Sequence, residues 1–334
     1  VDVQQLINFL HVCNTEQKME SETILITGAC GQLGTELTLA LRQKYNNVIA
    51  SDLKEPNEIL QNSGTFIKAD VLHRAGLVDL VKQNGVTQVY HLAAILSATG
   101  EKQPEFAWRI NMKGLRNVLD VSAECGVKKV FFPSTIAVFG PTTPKQNTPQ
   151  HTVMEPSTIY GISKQAGELW CKWYFEKKGL DVRSVRYPGL ISYKTKAGGG
   201  TTDYAVDIFF EAVENKKYTC FLKEDTTLPM MYMPDAVRGT IELMEAPPEK
   251  ITVRTGYNFS GMSFSPKQLA SVIQKEMPEF QIDYNPDFRQ QIAEGWSESI
   301  DDSFARNDWN WQPQFTIEAM VKDMLENIAA KVAS

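Results

Sequence analysis

Apolar positions in the first half of the chain come in short unbroken runs, separated by longer stretches of helical period. TILITG (23–28), VIAS (48–51), TFIKA (65–69), VTQVYHL (86–92) and KKVFFPS (128–134) read as strands. Between them the pattern predicts helices over 32–44, near 72–83 and near 104–124, and a further helix over 159–177. Strands with little polar alternation belong in a parallel sheet covered on both faces. Alternating strands and helices, joined by right-handed crossovers, then give a doubly wound α/β sheet.

After residue 188 the alternation is less regular. AGGG (197–200) predicts a loop, TTDYAVDIFFEAVENKK (201–217) an amphipathic helix, and MMYMPDAVRGTIELMEA (230–246) a strand followed by a helix from about Asp235. The expected organisation is an N-terminal extension or processed remnant over 1–22, a nucleotide-binding domain over 23–187, and a mainly substrate-binding lobe over 188–334. Some segments of that lobe are expected to return to the core of the first domain. No internal repeat of solenoid type occurs.

Composition narrows the function classes. The 334 residues are 43% hydrophobic and 22% charged with a net charge of −6, which disfavours a polyanion-binding surface. No apolar run approaches the roughly 20 residues that span a bilayer. Five cysteines are scattered without a Cys-x-x-Cys pair, the pattern of reduced thiols. The four histidines are far apart, and the expectation is no metal site.

The first strand runs into Gly28-Ala29-Cys30-Gly31-Gln32-Leu33-Gly34, a G-x-x-G-x-x-G turn that opens a helix. Positions without side chains let the backbone turn tightly and approach a pyrophosphate, and the helix start supplies N–H donors. A plain βα turn is the competing reading, and the place after the first strand weighs against it. Asp52 follows the second strand, where a carboxylate binds the adenosine ribose hydroxyls and repels a 2′-phosphate, so NAD is favoured over NADP. Asp70 and Val71 end the third strand, where they are expected to receive adenine.

Near the middle of the chain, TIYGISK (158–164) places Tyr160 and Lys164 four apart, on one face of a helix. A phenol with a pKa of about 10 is mostly protonated at neutral pH, and a nearby ammonium favours its ionised form. Such a pair can take the proton of an alcohol as hydride leaves carbon.

These motifs, in order, resemble the extended short-chain dehydrogenase/reductase family, from about Thr23 to about Trp311. The resemblance rests on GACGQLG, on His91-Leu92-Ala93-Ala94, on Asn111 in NMKGLRNVL, on PSTIAVFG and on Tyr160-x-x-x-Lys164. It implies a Rossmann fold, bound NAD, and a Thr135, Tyr160, Lys164 catalytic set, with Thr135 preferred to Ser134 as the hydroxyl at the end of the fifth strand. It implies cofactor contacts from Gly28, Gly31, Gln32, Leu33, Gly34, Asp52, Asp70, Val71, Leu92, Ala93, Ala94, Asn111, Tyr160, Lys164 and Pro188. It also implies a homodimer built on the helices near 104–124 and 158–177.

Within the family the chain resembles the branch that oxidises the 3-hydroxyl of L-threonine, through RYPGLIS (186–192), GGGTTDYA (198–205), LPMMYMPDA (228–236) and the Trp296 to Trp311 region. Pro188-Gly189 stands where nucleotide-sugar epimerases carry an Asn-containing turn, which favours a smaller ligand. On that likeness, Ser97, Thr135, Tyr160, Thr202 and Trp296 are expected at the substrate, and L-threonine is the expected small-molecule partner. Ser97 also reads as a turn residue, Thr202 as part of a glycine loop and Trp296 as packing. Arg186 is expected in a structural ion pair. Eukaryotic members of this branch make a mitochondrial address the expectation. The competing functions are a nucleotide-sugar 4-epimerase or dehydratase with tightly held NAD, and a nonenzymatic NAD-sensing partner protein.

Overall fold

A computed structural model describes residues 19–194 and 200–332. The N-terminal half alternates as the apolar runs require: β1 (Met19–Thr27), α1 (Gln32–Lys44), β2 (Tyr45–Asp52), α2 (Glu58–Ser63), β3 (Phe66–Lys68), α3 (Arg74–Gln83) and β4 (Gln88–His91). There follow α4 (Ser97–Lys102), α5 (Pro104–Trp108), a π-helical turn (Arg109–Gly114), α6 (Leu115–Glu124), β5 (Lys129–Thr135), α7 (Ile159–Lys178) and β6 (Asp181–Tyr187). These strands form one parallel sheet in the order β3-β2-β1-β4-β5-β6, to which the two-residue β10 (Tyr257–Asn258) adds a seventh strand beside β6. The order reverses between β1 and β4, and that switch point is where doubly wound sheets bind ligands.

Burial follows the two-sided apolar pattern. Ile24, Ile26, Leu37 and Leu41 pack with α9 (Met233–Glu245) on one face of the sheet. Leu25, Leu77, Val118 and Tyr174 pack on the other. The catalytic-helix candidate α7 starts where Thr158 accepts a hydrogen bond from the Gly161 N–H and stops at Gly179, whose φ of +69° suits glycine.

The second half forms a lobe with its own core. Its elements are β7 (Gly189–Ile191), α8 (Tyr204–Asn215), β8 (Lys217–Cys220), β9 (Leu228–Tyr232), β11 (Met262–Phe264), α10 (Pro266–Glu276), β12 (Gln281–Tyr284), α11 (Phe288–Ala293) and α13 (Ile317–Val332), whereas α12 (Ser303–Trp309) returns to the sheet core through Ala305 and Trp309. Small sheets β11-β9-β7 and β12-β8 lie against α8, α10 and α13 through Tyr204, Ile208, Leu269 and Met324. No helix among the described residues is long and apolar enough to cross a membrane.

Three sequence expectations change in detail. The first strand begins at Met19, so the four residues before Thr23 belong to β1 rather than to an extension. The helix expected over 104–124 is present but carries a π-helical turn at Arg109–Gly114, and the short α4 precedes it. The lobe helix starts at Met233 with Pro234 in its first turn, two residues before the expected Asp235. Residues 1–18 and 195–199, including Cys13 and most of the AGGG stretch, lie outside the described residues.

Candidate active site

The C-terminal ends of β1, β4 and β5 open into a cavity of about 260 Å³ between the sheet and the lobe. Its cofactor side is the glycine turn. Gly28 has φ +74°, and a Cβ there would lie 2.5 Å from the Ala93 nitrogen. A Cβ on Gly34 would run into the Gly28 carbonyl oxygen. Both glycines therefore set how closely α1 approaches the sheet. Helix α1 starts at Gly31 without a side-chain cap, an arrangement suited to a phosphate. Gly28, Gly31, Gln32, Leu33, Gly34, Leu92, Ala94 and Pro188 all line the cavity.

Asp52 sits at the end of β2, and its carboxylate accepts hydrogen bonds from the Cys30 and Lys54 N–H groups, each at 3.0 Å. The turn and the ribose-side acid are thus held together by backbone donors. Asp70 accepts from the Leu72 N–H at 2.8 Å, and Val71 is buried under Gly114. Neither lines the main cavity, and Ala93 meets it only through its backbone cradle for Gly28. Asn111 is held by partners within the protein. Its amide exchanges two hydrogen bonds with the Ile95 backbone, at 2.8 and 3.1 Å, and donates to Ser163 Oγ at 3.1 Å. Placed in the π-turn, Asn111 ties the strand end after β4 to α7, and its side chain does not line the cleft.

Tyr160, Lys164 and Thr135 come together at the middle of the cavity. Lys164 Nζ donates to the Pro133 carbonyl at 2.6 Å and lies 5.7 Å from the centre of the Tyr160 ring. Burial lowers the Lys164 ammonium to about 7. Burial raises the Tyr160 phenol to about 12, opposed by its hydrogen bond with Thr135. In the protein without cofactor, burial is the largest influence on both groups and disfavours the charged form of each. His91 lies behind them, 2.8 Å from Thr27 Oγ1, and burial followed by the Lys164 charge lowers it to about 3. It is therefore neutral at physiological pH, with a single ring N–H.

The two hydroxyls at the end of β5 both line the cavity and differ in their partners. Ser134 donates to the buried Glu168 carboxylate at 2.5 Å, so its proton is committed away from the cleft. Thr135 Oγ1 accepts from the Ala137 N–H at 3.2 Å and faces Tyr160.

The far end of the cavity is walled by Ser97, Thr201, Thr202 and Trp296. Ser97 Oγ is 3.4 Å from Thr201 Oγ1, linking the first turn of α4 to the segment before α8. Gly189 leaves space that Thr202 fills, since a Cβ there would lie 2.7 Å from Thr202 Cβ. Leu96, Thr201, Asp203 and Leu190 also line the cavity and were not singled out by the sequence. Thr201 was findable, as the neighbour of Thr202 in a loop already marked. Arg186 is no ligand contact here: it is engaged with Glu168 in a buried ion pair at 2.8 Å.

Comparison with known proteins now decides the family. Residues 24–256 match the model of the NAD dependent epimerase/dehydratase family. The chain belongs to this NAD-dependent epimerase/dehydratase family. It is 48% identical over 309 residues to the mitochondrial L-threonine 3-dehydrogenase of Bos taurus, covering 92% of this chain and 82% of the relative. It is equally 48% identical over 314 residues to an uncharacterized epimerase/dehydratase of Staphylococcus haemolyticus, covering 93% and 98%. Among solved structures, the GalE-like L-threonine dehydrogenase from Cupriavidus necator in its holo form superposes with a TM-score of 0.90 at 58% identity, covering 92% and 99%.

The cofactor of this epimerase/dehydratase family fits the residues present. Gly28 and Gly34 let the turn pack closely on the sheet, the start of α1 carries no side-chain cap, and Asp52, which lies outside the cavity lining, is tied to the turn by the Cys30 N–H. Tyr160 and Lys164 line the same cavity as that turn and as Ser97, Thr201 and Thr202.

Proposed function

We propose that this protein oxidises the 3-hydroxyl of L-threonine to the ketone of L-2-amino-3-oxobutanoate, with hydride passing to NAD and the hydroxyl proton to Tyr160. The observation that carries the reading is one cavity that joins the glycine turn to Thr135, Tyr160, Lys164 and a small end bearing Ser97, Thr201, Thr202 and Trp296. The names of the bovine and Cupriavidus relatives support the substrate.

Each residue has a role set by its position. Thr135 orients the reacting hydroxyl beside the phenol. Tyr160 takes the proton as the carbon-bound hydride departs. NAD, when bound, supplies the hydride acceptor and a positive charge that favours the phenolate. Lys164, anchored on the Pro133 carbonyl, holds the cofactor ribose and adds charge when protonated. Trp296 closes the apolar side of the substrate and keeps water out.

By the same reading, the enzyme serves threonine catabolism toward glycine and acetyl-CoA. A homodimer formed through α5 and α7 is supported by Trp108, Ile162, Leu169 and Trp173, all of which leave more than a third of their surface exposed. Sedimentation of the purified chain tests it: a monomer at micromolar concentration would exclude the assembly.

The activity test is NADH absorbance after mixing the protein with NAD and L-threonine, with D-threonine and L-serine as controls. The expected result is NADH from L-threonine far above both controls. Absence of signal in folded, NAD-binding protein overturns the substrate assignment. Tyr160→Phe should lower kcat by about 10²–10⁴-fold with NAD affinity unchanged. Thr135→Ser should keep more activity than Thr135→Ala.

A further inference from the structure

Behind the cleft runs a chain of buried polar side chains that none of the roles above uses. It begins at the end of β5, where Ser134 donates to Glu168. Arg186 grips the same carboxylate through Nε at 2.9 Å and Nη2 at 2.8 Å, then turns Nη1 to the Gln150 carbonyl at 3.0 Å and Asn258 Oδ1 at 3.1 Å. Asn258 in turn donates to the Thr148 carbonyl at 2.9 Å. The hydroxyl of Thr148 lies 2.7 Å from Ser297 Oγ, next in sequence to Trp296 in the cleft wall.

The proton count at Thr148 fixes the last link. Thr148 Oγ1 also lies 2.6 Å from the Pro144 carbonyl, which can only accept. A threonine hydroxyl has one proton, so that proton goes to Pro144 and Ser297 must donate to Thr148. Thr148 is fully buried and Ser297 is 1% exposed, so bulk solvent does not compete for either hydroxyl. The backbone agrees with the link: Thr148 and Ile300 form an isolated parallel bridge, with the Thr148 N–H on the Ser299 carbonyl at 2.9 Å. Two strands of chain from different halves of the sequence are thereby locked side by side, with Trp296 at their cleft end.

We propose that Thr148 is a positioning residue: through Ser297 it sets where the Trp296 wall stands relative to the Thr135 end of β5, and so sets affinity for the substrate but not for NAD. This rests on Trp296 facing substrate, as in the reading above. Removing the Thr148 hydroxyl leaves the Ser297 donor buried without an acceptor, and the wall residue beside it must shift. The cofactor side, built from the glycine turn and Asp52, has no bond to this chain and is expected to stay as it is.

The test uses the full-length protein with Thr148→Val and Thr148→Ser. Two things are read in each: kinetics with L-threonine and NAD, and acrylamide quenching of Trp296 fluorescence, isolated by difference against Trp296→Phe. The expected result for Thr148→Val is a rise in the L-threonine KM of roughly five- to tenfold. NAD affinity should stay within twofold, and Trp296 should quench more readily. Thr148→Ser should behave as wild type in both readouts. An unchanged KM and unchanged quenching in folded Thr148→Val overturn the proposal. So does a parallel loss of NAD affinity, or an equally impaired serine variant. Should the valine variant not fold, Ser297→Ala removes the same bond from the other side and is judged by the same two outcomes. If wild-type protein does not turn over L-threonine, the substrate reading fails, and the Trp296 quenching difference still decides the positioning role.

Discussion

Lys164 points its ammonium at the Pro133 carbonyl, 2.6 Å away, and not at the Tyr160 oxygen. The pair that the sequence presents as phenol and ammonium is, in the protein alone, two groups held apart in a dry site. Charging either one there is costly. Binding of the cofactor and substrate must therefore supply what makes the phenol reactive, which couples chemistry to a filled cleft.

That relationship has a measurable consequence for stability. The ordinary lysine value is 10.5, and burial brings Lys164 to about 7. Between those values the unfolded chain holds a proton that the folded chain has released, so stability rises with pH there. The contribution is complete above 10.5 and is lost as pH falls through 7. Lys164→Met removes the buried amine and the titration with it. The variant should gain stability relative to wild type most at pH 6.5, and the difference should shrink steadily toward pH 9.5. Chemical denaturation of the cofactor-free protein across that range measures this. A difference independent of pH would mean that Lys164 keeps its ordinary value in the fold.

The fold was legible because its strands are buried on both faces. VIAS and KKVFFPS admit no other period, and observed β2 and β5 contain or nearly match them. The glycine turn was legible for a related reason, since spacing alone places a backbone that only glycine allows. Asn111 was not. Its helix has an unbroken pattern over 104–124, and nothing local shows where an extra residue enters a turn. Nor could the role of Thr148 be read, because its partner Ser297 lies 149 residues away. Thr202 and Trp296 were found only through resemblance; their position in the cleft depends on how the lobe folds back over the sheet.

The Glu168–Arg186 pair gives a stability prediction of a different kind. Both side chains are buried, at 1% and 2% exposure, and each satisfies the other. Arg186→Met alone leaves an unpaired carboxylate in the core and should cost about 3–5 kcal/mol. Glu168→Gln in the same background removes that charge and should recover part of the loss. The double variant should therefore be more stable than the sum of the two single losses by at least about 1 kcal/mol. Urea unfolding of all four proteins measures the coupling. Additive losses would show that the two charges are solvated independently.

On the proposed reading, Asp52 is the residue that sets cofactor choice. Its two oxygens are each fixed by a backbone N–H, one from the glycine turn at Cys30 and one from Lys54, so the carboxylate cannot swing aside for a 2′-phosphate. Replacing it with serine keeps a hydrogen-bonding group for the ribose and removes the repelling charge. Asp52→Ser should weaken NAD binding severalfold and improve use of NADP, shifting the NAD-to-NADP ratio of kcat/KM by roughly tenfold, the equivalent of about 1.4 kcal/mol. Lys54 follows β2, and Lys68 is the register partner of Asp52 on β3, where it is already paired with Glu55 in an exposed ion pair. Relief of repulsion, not a new phosphate contact, is thus the source of the gain. Steady-state kinetics with both cofactors over a range of salt concentration separates the two: repulsion by Asp52 makes the wild-type preference for NAD fall as salt rises, and the serine variant should show a smaller salt dependence. A ratio unchanged by the substitution would place the discrimination elsewhere than Asp52.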